Sequence, residues 1–271
     1  MAELADLLAL LTRDPPGSAL LLDFDGTLAP IVDDPATSAM PDPIAGVVED
    51  LSHQLGVVAV VSGRPAAFLG ERVRLPRVQR LGLYGLQAWT EGGPTSRPEA
   101  LAWQPQVDRA REILEHLLGG LEGVLVEDKG LSVAVHWRNA ADRALAEHAV
   151  EEAARRLASD SGLQLEPGKL VVELRPPVPW DKGSTVRAVV EELNASAVAY
   201  IGDDLGDLPA FEAVRELGGL AVAVEHGSET APEVREAADL LLQGPDAVGV
   251  ALTALRDQLE GRSGSTASAS R

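Results

Sequence analysis

An α/β fold built on a mainly parallel sheet, with an α+β segment inserted into it, is what this 271-residue sequence predicts, and three observations carry the prediction. Short apolar runs of strand length alternate with stretches of helical period, the pattern of parallel strands joined by crossover helices. Each of these runs ends in a turn bearing Gly or Asp. Two proline clusters, Pro94, Pro98 and Pro105, then Pro176, Pro177 and Pro179, bracket a middle stretch patterned differently from its flanks. Proline restricts both itself and the residue before it, so the clusters read as connectors.

Taken in order, MAELADLLALLTR is an amphipathic helix, acidic near its start and lacking the basic n-region and cleavage site of a secretory signal. Ala19–Leu22 and Val57–Val61 are buried strands, separated by a helical pattern from Ala45 to Leu55. In the middle stretch, Gly123 to Arg138 alternates like a strand or hairpin. Ala140 to Ala158 is helical behind an Asn139 cap, and Leu163 to Leu174 is strand-like again. A helix over Ser184–Leu193, strands at Ala197–Ile201 and Leu220–Val224, and a helix over Asp246–Leu259 follow. From Gly261 the Gly/Ser-rich end has no apolar period and is expected to be disordered. The expected organisation is a core from residues 1–102 and 179–260, an inserted domain at 103–178 and a tail at 261–271.

Composition removes whole classes of function. With 45% hydrophobic and 24% charged residues the chain can bury a sizeable core. Its 42 Asp and Glu against 23 Lys and Arg give a net charge of −19, which repels a polyphosphate backbone; no basic patch is evident, so nucleic acid is not an expected partner. No apolar run approaches the roughly 20 residues that span a bilayer. The absence of cysteine excludes disulfides, thiolate metal sites and a cysteine nucleophile, and favours a cytoplasmic location without requiring it. Oligomeric state has no signature in the sequence.

The chemistry concentrates at strand ends. In LLLDFDGTLAP a buried strand delivers Asp23 and Asp25 as it ends, where ligands bind in open α/β sheets, and Gly26 permits the turn that brings them together. Two such carboxylates repel unless a divalent cation joins them, and Mg²⁺ takes one or two carboxylates plus a substrate phosphate. GVVAVVSGRP places Ser62 and Gly63 at a second strand end, with Pro65 suited to a helix's first turn; this is an anion site or an ordinary loop. Lys182 stands just before a helix and is a phosphate ligand or a surface lysine. YIGDDLGD ends a strand in Asp203, Asp204 and Asp207, metal-facing acids or helix-capping ones. Their shared placement weakens the bland readings, because a phosphate, a metal and a carboxylate nucleophile require these residue types.

In order, DFDGTLAPIV, VVSGRP, VEDKGLSVAVHWR, VVELRPPVPWDKG and IGDDLGDLPAF resemble the motifs of the haloacid dehalogenase superfamily and, more narrowly, of the trehalose-6-phosphate phosphatases. The resemblance runs from about Leu20 to Leu259. The middle motif, Glu127-Asp128-Lys129 with Ser132 and His136-Trp137-Arg138, narrows it to the trehalose enzymes. It implies a Rossmann-like core with an inserted cap that closes over the sugar, and Mg²⁺-dependent hydrolysis of trehalose 6-phosphate through an aspartyl-phosphate. Asp23 is then the nucleophile and Asp25 the acid that becomes a base. Asp23, the Asp25 carbonyl and Asp203 hold the metal. Gly26, Thr27, Ser62, Gly63, Arg64 and Lys182 face the phosphate, while Asp204 and Asp207 orient Lys182 or metal-bound water. Glu127, Lys129 and Glu173 occupy the sugar-binding positions of the cap. His136 is as readily structural as ligand-facing, sharing a strand face with Ser132, Ala134 and Arg138, and no role falls to His53, His116, His148 or His226.

Two departures bear on substrate more than on reaction class: Gly206 stands where the family has Thr, with Leu208-Pro209 replacing an acidic pair, and Trp137 stands where it has Tyr. Two other readings remain open at this point: a phosphatase for a different sugar phosphate, and a non-catalytic sugar-phosphate-binding regulator.

Overall fold

The computed structural model describes residues 2–32, 34–168 and 170–268, with the side chains of 263–268 left aside. The chain divides into two compact units, one of residues up to Thr95 and from Trp180 onward, the other Ser96–Pro179.

The first unit starts with helix α1 (Leu4–Arg13), strand β1 (Ser18–Leu22), helix α2 (Asp42–Gln54), strand β2 (Val57–Val61) and helix α3 (Ala66–Arg72). Strands β3 (Gln79–Gly82), β4 (Gln87–Thr90) and β5 (Gly93–Ser96) lead to the second unit. That unit holds helices α4 (Pro98–Leu101) and α5 (Gln104–Leu118), hairpin strands β6 (Leu125–Asp128) and β7 (Val133–His136), helix α6 (Arg143–Ser161), and strands β8 (Gln164–Gly168) and β9 (Val171–Arg175). The chain re-enters the first unit with helix α7 (Lys182–Leu193), strand β10 (Ala197–Gly202), helix α8 (Leu208–Glu216), strand β11 (Leu220–Glu225), helix α9 (Pro232–Ala237), strand β12 (Leu240–Gln243) and helix α10 (Gly244–Ser268).

The first unit's sheet runs β12-β11-β10-β1-β2-β3-β4-β5, parallel from β12 to β3 and antiparallel at β3–β4. Both faces are covered, which is why the strands read as unbroken apolar runs. In β1, Leu20 and Leu22 enter the core under α1, α2 and α10, and Ala19 and Leu21 enter the core under α7 and α8. The strand therefore has no solvent face, and its first polar group on leaving the sheet is Asp23. Because β1, β2, β10 and β11 are parallel neighbours, their carboxyl ends deliver Asp23, Ser62, Asp203 and His226 to one edge.

The second unit is a four-stranded antiparallel sheet, β6-β7-β9-β8, with α5 and α6 packed on one face. Val133, Val135 and Trp137 turn into that core, so Ser132, Ala134 and His136 lie on the opposite face. The unit begins at Ser96, ahead of the expected Trp103, because α4 leads straight into α5 through hydrogen bonds from the Trp103 N–H to the Ala100 carbonyl and from the Val107 N–H to the Trp103 carbonyl.

Two local expectations differ from the structure. Helix α6 is capped by Asp142, whose carboxylate accepts the Leu145 N–H at 3.0 Å, and not by Asn139. Helix α10 continues through Gly261 to Ser268, where disorder was expected; residues 269–271 lie outside the described residues. Its inner stripe of Val248, Ala251, Leu252, Leu255 and Leu259 is buried, and once a helix is anchored, further turns cost only propagation and no new nucleation.

Helix phase in the inserted unit is testable. Leu114 is fully buried and Leu117 on the same helix is 57% exposed. Leu114→Ala should lower unfolding free energy by about 2–5 kcal/mol, and Leu117→Ala by no more than about 0.5 kcal/mol, as read by denaturant melts.

Candidate active site

The site grows from a buried ammonium. Lys182, the first residue of α7, is only 3% exposed, and its Nζ donates to Asp23 Oδ1 at 2.7 Å and to Asp207 Oδ1 at 2.6 Å. Asp207 is saturated with donors: the Tyr200 hydroxyl at 2.7 Å, and the backbone N–H groups of Asp203 at 2.9 Å and Asp204 at 3.1 Å. Its pKa falls below the ordinary 3.8, because Lys182 and these hydrogen bonds outweigh its burial. For Lys182 burial works against the charge, but Asp207 and Asp23 more than offset it and hold the ammonium above its usual range.

Asp23 is left with the smaller share of that ammonium. Burial and the nearby Asp207, Asp203 and Asp204 charges raise its pKa well above 3.8 despite Lys182. Burial together with Asp207 and Asp204 pushes Asp203 up to about 7, and burial together with Asp207 pushes Asp204 up to about 6. Oxygens of Asp23, Asp203 and Asp207 lie within 4.8 Å of one another. Three carboxylates thus converge beside one ammonium, an arrangement that a hard divalent cation with oxygen ligands fits.

The loops that follow β1 and β2 carry backbone donors without acceptors. Among the described residues, the backbone N–H groups of Phe24, Asp25, Thr27 and Gly63 have no protein acceptor. Phe24 and Thr27 are fully buried, so these are groups that an anion would satisfy. Gly26 makes the turn possible: its φ is +81°, and a Cβ there would come within 2.1 Å of Asp203 Oδ2. The loop after β2 is braced by Leu83 and Tyr84, both held at positive φ, whose N–H groups bond the carbonyls of Arg64 and Ser62 at 2.9 Å.

Several expected residues take specific places. Asp25 stands outside the acidic cluster: its carboxylate accepts Arg64 Nε at 2.8 Å, Arg64 Nη2 at 3.0 Å and the Ser38 hydroxyl at 2.7 Å. Arg64, expected on the phosphate, here grips Asp25 from above the Phe68 ring, 4.7 Å from its centroid. The Ser62 hydroxyl accepts the Arg64 N–H at 3.2 Å. Asp204 caps the turn over Leu205–Asp207 by accepting the Gly206 N–H at 2.9 Å. Thr27 Oγ1 lies 3.5 Å from Asp203 Oδ1.

In the inserted unit a second polar group forms on the open sheet face. Lys129 Nζ donates to Glu173 Oε2 at 2.7 Å, the Ser132 hydroxyl donates to Glu173 Oε1, and His136 Nε2 pairs with Glu127 Oε2 at 2.8 Å. Glu127, Lys129, Glu173 and His136 are thereby brought together by strand register, since Glu127 and Glu173 both pair with Ala134.

Ser38, Tyr200 and His226 escaped the sequence reading. His226 Nε2 lies 2.9 Å from the Gly26 carbonyl and 3.4 Å from Asp203 Oδ2. It stands two residues beyond the apolar run Leu220–Val224, as Asp203 stands two residues beyond Ala197–Ile201.

Comparison with known proteins identifies the arrangement. A family model described as trehalose-phosphatase matches residues 21–246. The chain is 38% identical over 242 residues to a trehalose-phosphate phosphatase of Mycobacterium marinum, covering 84% of this chain and 60% of that relative's length. Its fold is similar to the crystal structure of a trehalose-6-phosphate phosphatase related protein, with a TM-score of 0.76, 22% identity, and coverage of 90% and 99% of the two chains. It is also similar to a haloacid dehalogenase-like hydrolase from Bacteroides thetaiotaomicron, with a TM-score of 0.61, 17% identity, and coverage of 89% and 98%. The chain belongs to the trehalose-phosphatase family and has the haloacid dehalogenase-type α/β fold. Among the described residues no helix is long and apolar enough to cross a membrane.

The acids make a pH prediction. Asp203 keeps its proton up to about pH 7 when folded but loses it near 3.8 when unfolded, so between those values the native state binds more protons and stability falls as pH rises. A divalent cation binds the ionised form and opposes that fall. The rise in thermal midpoint on adding Mg²⁺ to chelator-treated protein should be larger at pH 8 than at pH 5. An equal rise at both would contradict the shift.

Proposed function

We propose that this member of the trehalose-phosphatase family hydrolyses trehalose 6-phosphate to trehalose and phosphate in two displacements, with Mg²⁺ as cofactor. The observation that carries the reading is the Asp23 carboxylate at the end of β1, 2.7 Å from a buried ammonium and flanked by unfilled N–H donors. A carboxylate nucleophile divides one difficult hydrolysis into two easier steps. Asp23 attacks phosphorus and the bond from phosphorus to the sugar oxygen breaks. Asp25 donates a proton to that leaving oxygen, then takes one from the water that cleaves the aspartyl-phosphate and frees Asp23. The N–H groups of Phe24, Asp25, Thr27 and Gly63, the Ser62 hydroxyl and Lys182 hold the phosphoryl oxygens. Mg²⁺, held by Asp23, Asp203 and the Asp25 carbonyl, supplies charge neutralisation between carboxylate and phosphate.

Arg64 and Ser38 aim the Asp25 carboxylate in this scheme. Asp207 acts through Lys182, and Asp204 shapes the turn that carries Asp207. Sugar recognition is assigned to Glu127, Lys129, Glu173 and His136 of the inserted unit, supported by their convergence on one face of its sheet. We place the reaction in the cytoplasm, a reading supported by the absence of cysteine.

The test is phosphate release from trehalose 6-phosphate with and without Mg²⁺, alongside other sugar phosphates and a small aryl phosphate. Mg²⁺-dependent release that is fastest with trehalose 6-phosphate and lost in Asp23→Asn is expected. Preference for another sugar phosphate would replace the substrate, and no release from any would overturn catalysis. Glu127→Ala and Lys129→Ala should each lower kcat/KM for the sugar phosphate by about one to two decades, the worth of a charge-assisted hydrogen bond, and leave aryl phosphate hydrolysis nearly unchanged. Equal losses on both substrates would make these residues structural.

A further inference from the structure

His226 has no part in the scheme above, yet it touches two of its components. It leaves β11 at the same sheet edge as Asp23 and Asp203, in a turn built to hold it: its N–H donates to Thr230 Oγ1 at 2.7 Å, and Thr230 is 4% exposed. Arg235 closes the turn from outside, donating to the Glu225 carboxylate and the Gly227 carbonyl. The imidazole therefore arrives on a rigid support.

Its target is the Gly26–Thr27 peptide, in a turn closed by bonds from the Gly26 N–H to the Ala29 carbonyl at 2.8 Å and from the Leu28 N–H to the Phe24 carbonyl at 3.0 Å. Gly26 sits at φ +81°, and neither its carbonyl nor the Thr27 N–H takes part in the bonds that close the turn, which leaves that peptide's only bond among the described residues the one to His226. The Gly26 carbonyl and the Thr27 N–H belong to one planar trans unit and point in opposite directions, so fixing the oxygen fixes the donor. A carbonyl only accepts, so His226 Nε2, at 2.9 Å, must carry the hydrogen. The same nitrogen lies 3.4 Å from Asp203 Oδ2, while Thr27 Oγ1 reaches the other oxygen of that carboxylate at 3.5 Å. Asp203 is bracketed on both sides.

We propose that His226 is a positioning residue: one N–H sets the Gly26–Thr27 peptide, and with it a phosphate-binding donor, and steadies the metal-binding carboxylate of Asp203. The proposal rests on the reading of Asp203 as a metal ligand and of Thr27 as a phosphate donor. Partners that orient metal ligands from behind are typically worth 10- to 100-fold in metal affinity.

The test is direct binding of Mn²⁺ to the full chain, followed by electron paramagnetic resonance, with thermal melts in chelator as the check on folding. His226→Ala should weaken Mn²⁺ binding about 10- to 100-fold with an unchanged melt. His226→Gln, whose amide offers an N–H at a similar reach, should restore most of the affinity. Wild-type affinity in His226→Ala would overturn the positioning role, and so would a glutamine variant as weak as the alanine one. Wild-type protein that takes up no Mn²⁺ would overturn the metal-ligand reading of Asp203 and the proposal with it.

Discussion

The Lys182 ammonium, shut between Asp23 and Asp207, is the interaction on which the rest of the site depends. A charge this deeply buried persists only when it is paired and hydrogen-bonded, and removing one partner leaves an uncompensated charge behind. Each partner comes from a different part of the fold: Asp23 from the end of β1, Asp207 from the turn before α8, Lys182 from the start of α7. Satisfying one ammonium therefore fixes three loops at once. Asp207 binds it together with a phenol and two peptide N–H groups, and so serves as the rigid anchor. Asp23 has fewer partners and more like charges around it, which suits the nucleophilic role proposed for it.

Close approach of backbone and side chain makes this geometry possible. A Cβ on Gly202 would fall 2.3 Å from the Asp207 carboxyl carbon, so the strand must end in glycine for the anchor to fold back on it. Gly26 does the same for Asp203. The two glycines let the carboxylates of Asp23, Asp203 and Asp207 crowd together at one sheet edge. That density of negative charge repels a phosphate dianion by itself. In the proposed reaction Lys182, the unpartnered N–H groups and a divalent cation would resolve that conflict together.

Much of this was legible because burial on both faces of a parallel sheet writes itself as unbroken apolar runs. β1, β2, β10 and β11 were placed from such runs, and Asp23, Ser62, Asp203 and His226 stand one or two residues beyond them. Where the signal is short it vanished: β12 is four residues, LLLQ, next to a glycine, and β3 to β5 mix polar with apolar side chains at the sheet's edge. The grip of Arg64 on Asp25 spans 39 residues of sequence and depends on the position of Phe68, which no spacing rule encodes. His226 was passed over because a lone histidine in a loop has no partner in sequence; its partners are 200 and 23 residues away, supplied by strand order alone. Asn139 and Asp142 are both good helix caps, and only the chain's path after β7 chose between them.

The central claim is that Asp23, held by Lys182 at the end of β1, carries the phosphoryl group between substrate and water. The most direct measurement is peptide mass spectrometry on enzyme acid-quenched during turnover of trehalose 6-phosphate. The account predicts a phosphoryl adduct on Asp23 that accumulates within a turnover and is absent when substrate is omitted. An adduct on a different residue, or steady turnover with Asp23 replaced by Asn and no adduct anywhere, would contradict it.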